Sequence, residues 1–142
     1  MDIKVSWAGD AKFIGESGSG HTVIMDGPPE GGGKNQGPRP MEMLLLGTGA
    51  CSSYDVISIL KKSRQNVSSC DVTVSAERAE TEPKVFTRIH IHFEISGVDL
   101  GEKQVERAVS LSAENNCSAS IMLGATAEIT HDVEIRQLEA SA

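Results

Sequence analysis

The sequence predicts an α+β fold with antiparallel sheet, and three observations predict it. A group of short strand-like runs opens the chain. One long apolar helix follows, and then come two alternating strands, two helical pieces and a last strand. Helices and strands thus come in blocks and not in strict alternation, which separates this pattern from doubly wound folds. IKVSWAG, AKFIGES and HTVIMDG are rich in strand formers and are parted by Gly9-Asp10 and Gly18-Ser19-Gly20, so residues 1–27 read as an antiparallel meander. GPPEGGGKNQGPR, residues 27–39, is too rich in glycine and proline for regular structure and reads as a mobile loop. Its GGGK lacks the Lys-Ser/Thr pair of a phosphate-binding loop.

Pro40 suits a first helical turn, because its missing N–H would be unpaired there anyway. The helix is expected over residues 40–65, with Lys61, Lys62 and Arg64 at the negative end of its dipole. Apolar residues surround its first half, which predicts burial on most sides. CDVTVSAERAE and KVFTRIHIHFEIS alternate with period two and predict a hairpin within residues 70–96, with Glu82-Pro83 in its turn. Its second strand should turn Val85, Thr87, Ile89, Ile91, Phe93 and Ile95 to one face. Helical pieces fill 101–124, with Val105, Ala108, Val109, Leu111 and Ser112 inward, and a final strand spans 125–138 with Ile129, His131, Val133 and Ile135 on one face. At 142 residues the chain suits one domain with a real core, 1–142, and is short for two.

Composition excludes some partners. A net charge of −7 argues against nucleic acid or an anionic membrane, since both select basic surfaces. No unbroken run approaches the roughly 18 apolar residues that cross a bilayer, so no membrane association is expected. MDIKVSWAGD lacks the basic start and apolar core of a secretory signal. With three cysteines, an odd number, the expectation is a reducing cytoplasm, where thiols more often serve chemistry than structural bridges.

PMEMLLLGTGACSSYDVISILKK, the most apolar stretch, carries Gly47, Gly49 and Cys51 at its middle. Each glycine costs a helix interior about 1 kcal/mol relative to alanine. On a helix the same face as Cys51 holds Leu44, Gly47, Thr48, Tyr54, Asp55 and Ser58, so Gly47 leaves a gap below the sulfur and Thr48 sets a hydroxyl beside it. Cys51 is then either a small hydrophobe of a packed core or a thiol with space around it. Cys117 follows Asn115-Asn116 near a helix start, where backbone N–H groups favour a thiolate. Cys70 stands beside Asp71, whose charge raises a thiol pKa, so it is the weakest nucleophile of the three. His90-x-His92 puts two imidazoles on one strand face, about 7 Å apart. No third ligand stands at a telling spacing, so the pair is read as a solvated face, and no metal or cofactor is expected.

PMEMLLLGTGAC, followed far downstream by SAENNCSASIML, resembles the OsmC/Ohr family of osmotically inducible and organic-hydroperoxide-resistance proteins, its YhfA-like branch above all. The resemblance covers nearly the whole chain: the meander, the Gly/Pro loop, the long helix, and two cysteines on separate helices. It implies an intertwined homodimer in which antiparallel sheets wrap long central helices, with Gly47 and Gly49 letting two such helices cross closely. It also implies a thiol-dependent peroxidase for organic hydroperoxides. By position Cys51 corresponds to the peroxidatic cysteine and Cys117 to the resolving one, and a dithiol reductant, in this family often a lipoyl protein, restores both. Family members support the thiol with a glutamate and an arginine. Here Met41 follows the proline, and the acid is Glu42, half a turn from Cys51 at about 100° per residue. The first arginine is Arg39. Glu42, Arg39 and Thr48 are the supporting candidates. A second function is a non-catalytic OsmC-like protein that binds a small apolar ligand in a dimer-interface pocket or senses redox state.

Overall fold

The structure is a computed structural model and describes residues 1–140. The chain divides into two compact units, the first Met1–Leu45 and the second beginning at Leu46. In the first, β1 (Ile3–Trp7), β2 (Phe13–Ser17) and β3 (Thr22–Met25) form the expected antiparallel meander in the order β1-β2-β3. The loop expected to be mobile is instead tied down by one buried acid. Asp26 accepts the backbone N–H groups of Gly27 at 2.7 Å and of Lys34 and Gln36 at 3.2 Å each. Burial pushes the Asp26 carboxyl up, but these three amides and Lys12 more than offset it and hold its pKa below the usual value. Pro29–Gly31 adds one 3₁₀ turn, and Asp26 N–H donates to the Pro38 carbonyl at 3.1 Å. Gly37 runs so close to β3 that a Cβ there would overlap the Ile24 carbonyl.

The long helix, α1, spans Pro40–Lys62. It ends three residues before the expected boundary because Arg64 turns left-handed at φ 59°. Gln65 N–H then reaches the Leu60 carbonyl and Arg64 N–H the Lys61 carbonyl, which closes the helix end. The expectation of burial on most sides fails. Only Thr48, Gly49, Ser52, Val56 and Leu60 are buried, essentially one stripe at every fourth residue, while Leu46 and Tyr54 are 59% and 76% exposed. By length and by a mean hydropathy of 1.4 over its most apolar window, α1 also reaches the size of a membrane-crossing helix, although no unbroken apolar run does.

The second unit is built on β4 (Asn66–Arg78), β5 (Phe86–Val98) and β6 (Glu128–Leu138), in the order β4-β5-β6. β4 and β5 form the antiparallel hairpin, longer than expected at both ends. β6, however, pairs with β5 in parallel, from Arg88↔Glu128 to Val98↔Leu138. An all-antiparallel sheet was expected. The correction follows from the connection: residues 99–127 are long enough to cross over, as a parallel pair requires. That crossover holds α2 (Glu102–Leu111), a π-helical turn (Ser112–Asn116) and α3 (Ser118–Leu123). The core is the inner face of β5, with Ile89, Ile91, Phe93 and Ile95, together with Val56 and Leu60 of α1 and Val105, Ala108 and Val109 of α2. Each large side chain there contributes roughly 1.5–3 kcal/mol by leaving water. A register shift between Glu77 and Arg78 puts Phe86 inside, where strict alternation predicted Thr87.

Gly49 is explained within the chain. A Cβ there would sit 3.1 Å from Val74 Cγ2 and 3.9 Å from Val72 Cγ1, so the glycine lets α1 close onto β4. A Cβ at Gly47 would meet nothing within 4 Å. Replacing Gly49 with valine should therefore destabilise the protein by about 1–3 kcal/mol through overpacking against Val74. Chemical denaturation measures this; an unchanged midpoint would show that α1 and β4 do not meet there.

Candidate functional site

Cys51 and Cys117 are brought together. Cys51 lies in the middle of α1. Cys117 is the residue after the π-helical turn and the N-cap of α3, in extended conformation. The π-helical turn places it: Cys117 N–H donates to the Ser112 carbonyl at 2.9 Å, one residue further back than an α-helix would reach. Ser112 in turn donates its hydroxyl to the Ser52 carbonyl at 2.9 Å, tying the crossover to α1. The two sulfurs and a carboxylate oxygen of Asp55 lie within 4.8 Å of one another, and all three cysteines are free thiols. Cys117 is fully buried, whereas Cys51 is half-buried and presents surface.

The sulfurs differ in their donors. Ser52 Oγ donates to Cys117 Sγ at 3.2 Å and Ser120 N–H donates to it at 3.4 Å, while the Ser52 and Ser120 hydroxyls lie 3.4 Å apart. Burial pushes the Cys117 thiol up, but the hydroxyls of Ser120 and Ser52, the Ser120 N–H and the Cys51 thiol outweigh burial and bring its pKa below the ordinary value. Cys51 goes the other way. The Ala119 N–H favours its thiolate, but burial, the neighbouring Cys117 sulfur and the Asp55 charge together raise it. Of the two, Cys117 is therefore the thiol that gives up its proton more readily, and Cys51 the one that holds it more firmly. Cys70 is raised chiefly by burial; the Ser53 hydroxyl opposes that and Asp71 adds to it.

The supporting candidates have their own partners. Glu42 Oε1 accepts the Arg39 N–H at 2.7 Å, one half of a capping box at the start of α1. Arg39 Nη1 donates to Asn35 Oδ1 at 2.7 Å and to the Gly37 carbonyl at 3.3 Å. All four residues lie in the first unit. Thr48 is fully buried on the inward stripe of α1. Ser52, Asp55 and Ser120 are the site residues that sequence reasoning missed as functional. Asp55 is four residues past Cys51 and already on its face, and Ser52 is its neighbour. What the sequence could not supply was the placement of Cys117 against them.

The His90-x-His92 face is engaged by β6 and is more than a solvated face. His90 Nδ1 meets Thr130 Oγ1 at 2.7 Å, and Asp132 Oδ1 lies 2.7 Å from His90 Nε2 and 2.9 Å from His92 Nδ1. The Asp132 hydrogen bond raises the His92 pKa despite some burial, and His92 in turn holds Asp132 below its usual value. Ligand atoms of His92, Glu94 and Glu134 also come within 4.8 Å of one another on this face.

Ser52→Ala removes a hydroxyl donor from the Cys117 sulfur. Its thiolate should then form at higher pH, with a stability loss of about 1 kcal/mol. Thiolate ultraviolet absorbance followed through a pH titration reads the first effect. An unmoved titration would mean that Ser52 does not hold the anion.

Comparison with known proteins identifies the family of the chain. The family described as OsmC-like protein matches residues 32–132. Protein YhfA of Escherichia coli strain K12 is 45% identical over 135 residues, covering 95% of this chain and 98% of its own. Among solved structures, a hypothetical protein from Aquifex aeolicus VF5 shares 30% identity and a TM-score of 0.78, with 96% and 97% of the two chains covered. The organic hydroperoxide resistance protein OsmC from Legionella pneumophila has 16% identity, a TM-score of 0.70, and 94% and 95% coverage, a likeness of fold. With the family matched over most of its length and a near-full-length relative at 45% identity, the chain belongs to the OsmC-like protein family.

Proposed function

We propose that the protein is a thiol-dependent peroxidase that reduces organic hydroperoxides in stress defence. The observation that carries this is the meeting of two free thiols, far apart in sequence, within 4.8 Å, one of them buried among donors and the other at the surface. The resistance to organic hydroperoxides named for the Legionella protein of the same fold supports the substrate class. Cys117, the readier of the two to ionise, first gives its proton to solvent, and the Cys51 S–H points its own proton toward it. Of these two thiols, Cys51 is the one a hydroperoxide can reach. Its proton passes to Cys117, and the Ala119 N–H stabilises the resulting thiolate. That sulfur attacks the peroxide oxygen, the O–O bond breaks, and the alkoxide leaves and is protonated to the alcohol. Cys51 is now a sulfenic acid. Cys117, again as thiolate once its proton has gone to the alkoxide, attacks the Cys51 sulfur and expels hydroxide, which takes back the proton Cys117 first gave to solvent and leaves as water, forming a disulfide. The balance is one hydroperoxide and two thiols to one alcohol, one disulfide and one water. A dithiol such as a lipoyl group restores the thiols by exchange.

In this scheme Ser52, Ser120 and the Ala119 N–H take the supporting place that the resemblance gave to Arg39 and Glu42. The raised Cys51 pKa favours a second reading, a redox-sensing or ligand-binding protein that is oxidised slowly, because only the thiolate is a strong nucleophile. Reduced protein mixed with cumene hydroperoxide should lose two thiols per chain and keep the third. Cys51→Ser should keep both of its remaining thiols, and Cys117→Ser should stop at the sulfenic acid. Loss at the rate of a free thiol selects the sensing reading, and equal loss in Cys51→Ser contradicts both.

The protein is also proposed to be a homodimer. Ile3, Val5 and Trp7 along β1, and Leu46 and Tyr54 on α1, expose apolar surface that a single chain leaves in water. Sedimentation equilibrium should give twice the chain mass of 15.1 kDa; a monomer at micromolar concentration would rule the dimer out.

A further inference from the structure

We propose that the reduced site binds one borderline-soft divalent cation, zinc by its chemistry, through Cys51 Sγ, Cys117 Sγ and a carboxylate oxygen of Asp55. Two observations carry this independently. The first is geometric: the three ligand atoms lie within 4.8 Å of one another. A tetrahedron built on Zn–S bonds of about 2.3 Å and a Zn–O bond of about 2.1 Å has edges of roughly 3.5–3.8 Å. Small side-chain rotations therefore suffice to close the set.

The second is a polar atom without a partner. Asp55 Oδ2 is buried and accepts no hydrogen bond from any described residue. A buried carboxylate oxygen left unsatisfied costs about 1–3 kcal/mol or more. Folded proteins rarely keep such an atom unless something absent from the protein itself fills the place. The same carboxyl group sets one of its oxygens beside two sulfurs, and a cation held there would draw on it.

The surroundings of the sulfurs suit a metal thiolate. The Ser52 hydroxyl and Ser120 N–H donate to Cys117, and the Ala119 N–H donates to Cys51. Donors of this kind orient ligating sulfurs and temper their charge from outside the coordination sphere. The donor set, two thiolates and one carboxylate, selects zinc or cobalt over calcium or magnesium, which take oxygen ligands. Binding forms two metal–sulfur bonds and one metal–oxygen bond, and releases the remaining thiol protons to solvent. The proposal does not depend on peroxidase activity, and either can fail with the other intact.

The test uses full-length reduced protein titrated with cobalt(II) chloride and then with zinc chloride. A sulfur-to-cobalt charge-transfer band should saturate at one equivalent per chain and vanish on adding zinc. This band reports only thiolate ligands, so binding at the exposed His92, Glu94 and Glu134 cluster does not contribute. Asp55→Asn keeps the side-chain shape and should weaken binding by about tenfold to a hundredfold. Cys51→Ser and Cys117→Ser should each remove most of the band, and Cys70→Ser should leave it whole. If Asp55→Asn unfolds, Asp55→Ser with a circular-dichroism check serves in its place. No band at one equivalent, or a band unaffected by the Asp55 variants, overturns the proposal.

Discussion

The contact between the Ser52 hydroxyl and the Cys117 sulfur, 3.2 Å long and buried, joins two parts of the chain that lie far apart in sequence. On one side is the inward stripe of α1. On the other is the crossover that lets β6 run parallel to β5. Ser112, at the start of the π-helical turn, reaches back to the Ser52 carbonyl, so the same residue of α1 holds the crossover at two points. Thr48, Ser52, Ser112 and Ser120 are the polar side chains buried along this seam. Buried polar groups cost stability unless they are paired, which makes their spacing exacting. A core of leucines would have packed α1 equally well. It would not have fixed where one sulfur sits relative to another.

That spacing sets the electrostatics of the site. Two thiols and a carboxyl share a small volume, and the donors are unevenly distributed among them. Cys117 has hydroxyls and an amide to stabilise an anion, so its pKa is lowered although it is the more buried sulfur. Cys51 has one amide and, against it, burial, the Cys117 sulfur and an acid nearby, so its pKa is raised although it is the more accessible sulfur. Under the proposed function the roles separate: the accessible sulfur meets the hydroperoxide, and the buried one is the readier to ionise. The arrangement also leaves the Asp55 oxygen without a partner, which is the basis for a cation at the same place.

Much of the fold was legible in the sequence because it rests on periodicity. The alternation of Ile89, Ile91, Phe93 and Ile95 declared the inner face of β5, and Val105, Ala108 and Val109 declared that of α2. The direction of β6 was not legible, because a strand's pattern of inward and outward residues is the same in either direction. The order in the 27–39 loop was missed because one carboxylate, Asp26, outweighs eight residues of glycine and proline, and composition cannot reveal a hydrogen bond. Gly49 was expected to serve a second helix and serves the chain's own β4. Cys51 and Cys117 were identified by resemblance, while the residues that tune them were hidden, because nothing in the order Ser52, Asp55, Cys117, Ser120 tells which of them meet.

The central claim is that Cys51 and Cys117 form one redox pair, with Cys70 outside it. Peptide mapping by mass spectrometry, after oxidation with a single equivalent of organic hydroperoxide and blocking of free thiols, tests it most directly. The account predicts a Cys51–Cys117 disulfide linking two peptides of one chain, with Cys70 carrying the blocking group. A disulfide that includes Cys70, or a Cys51 oxidised while Cys117 stays free, would contradict it.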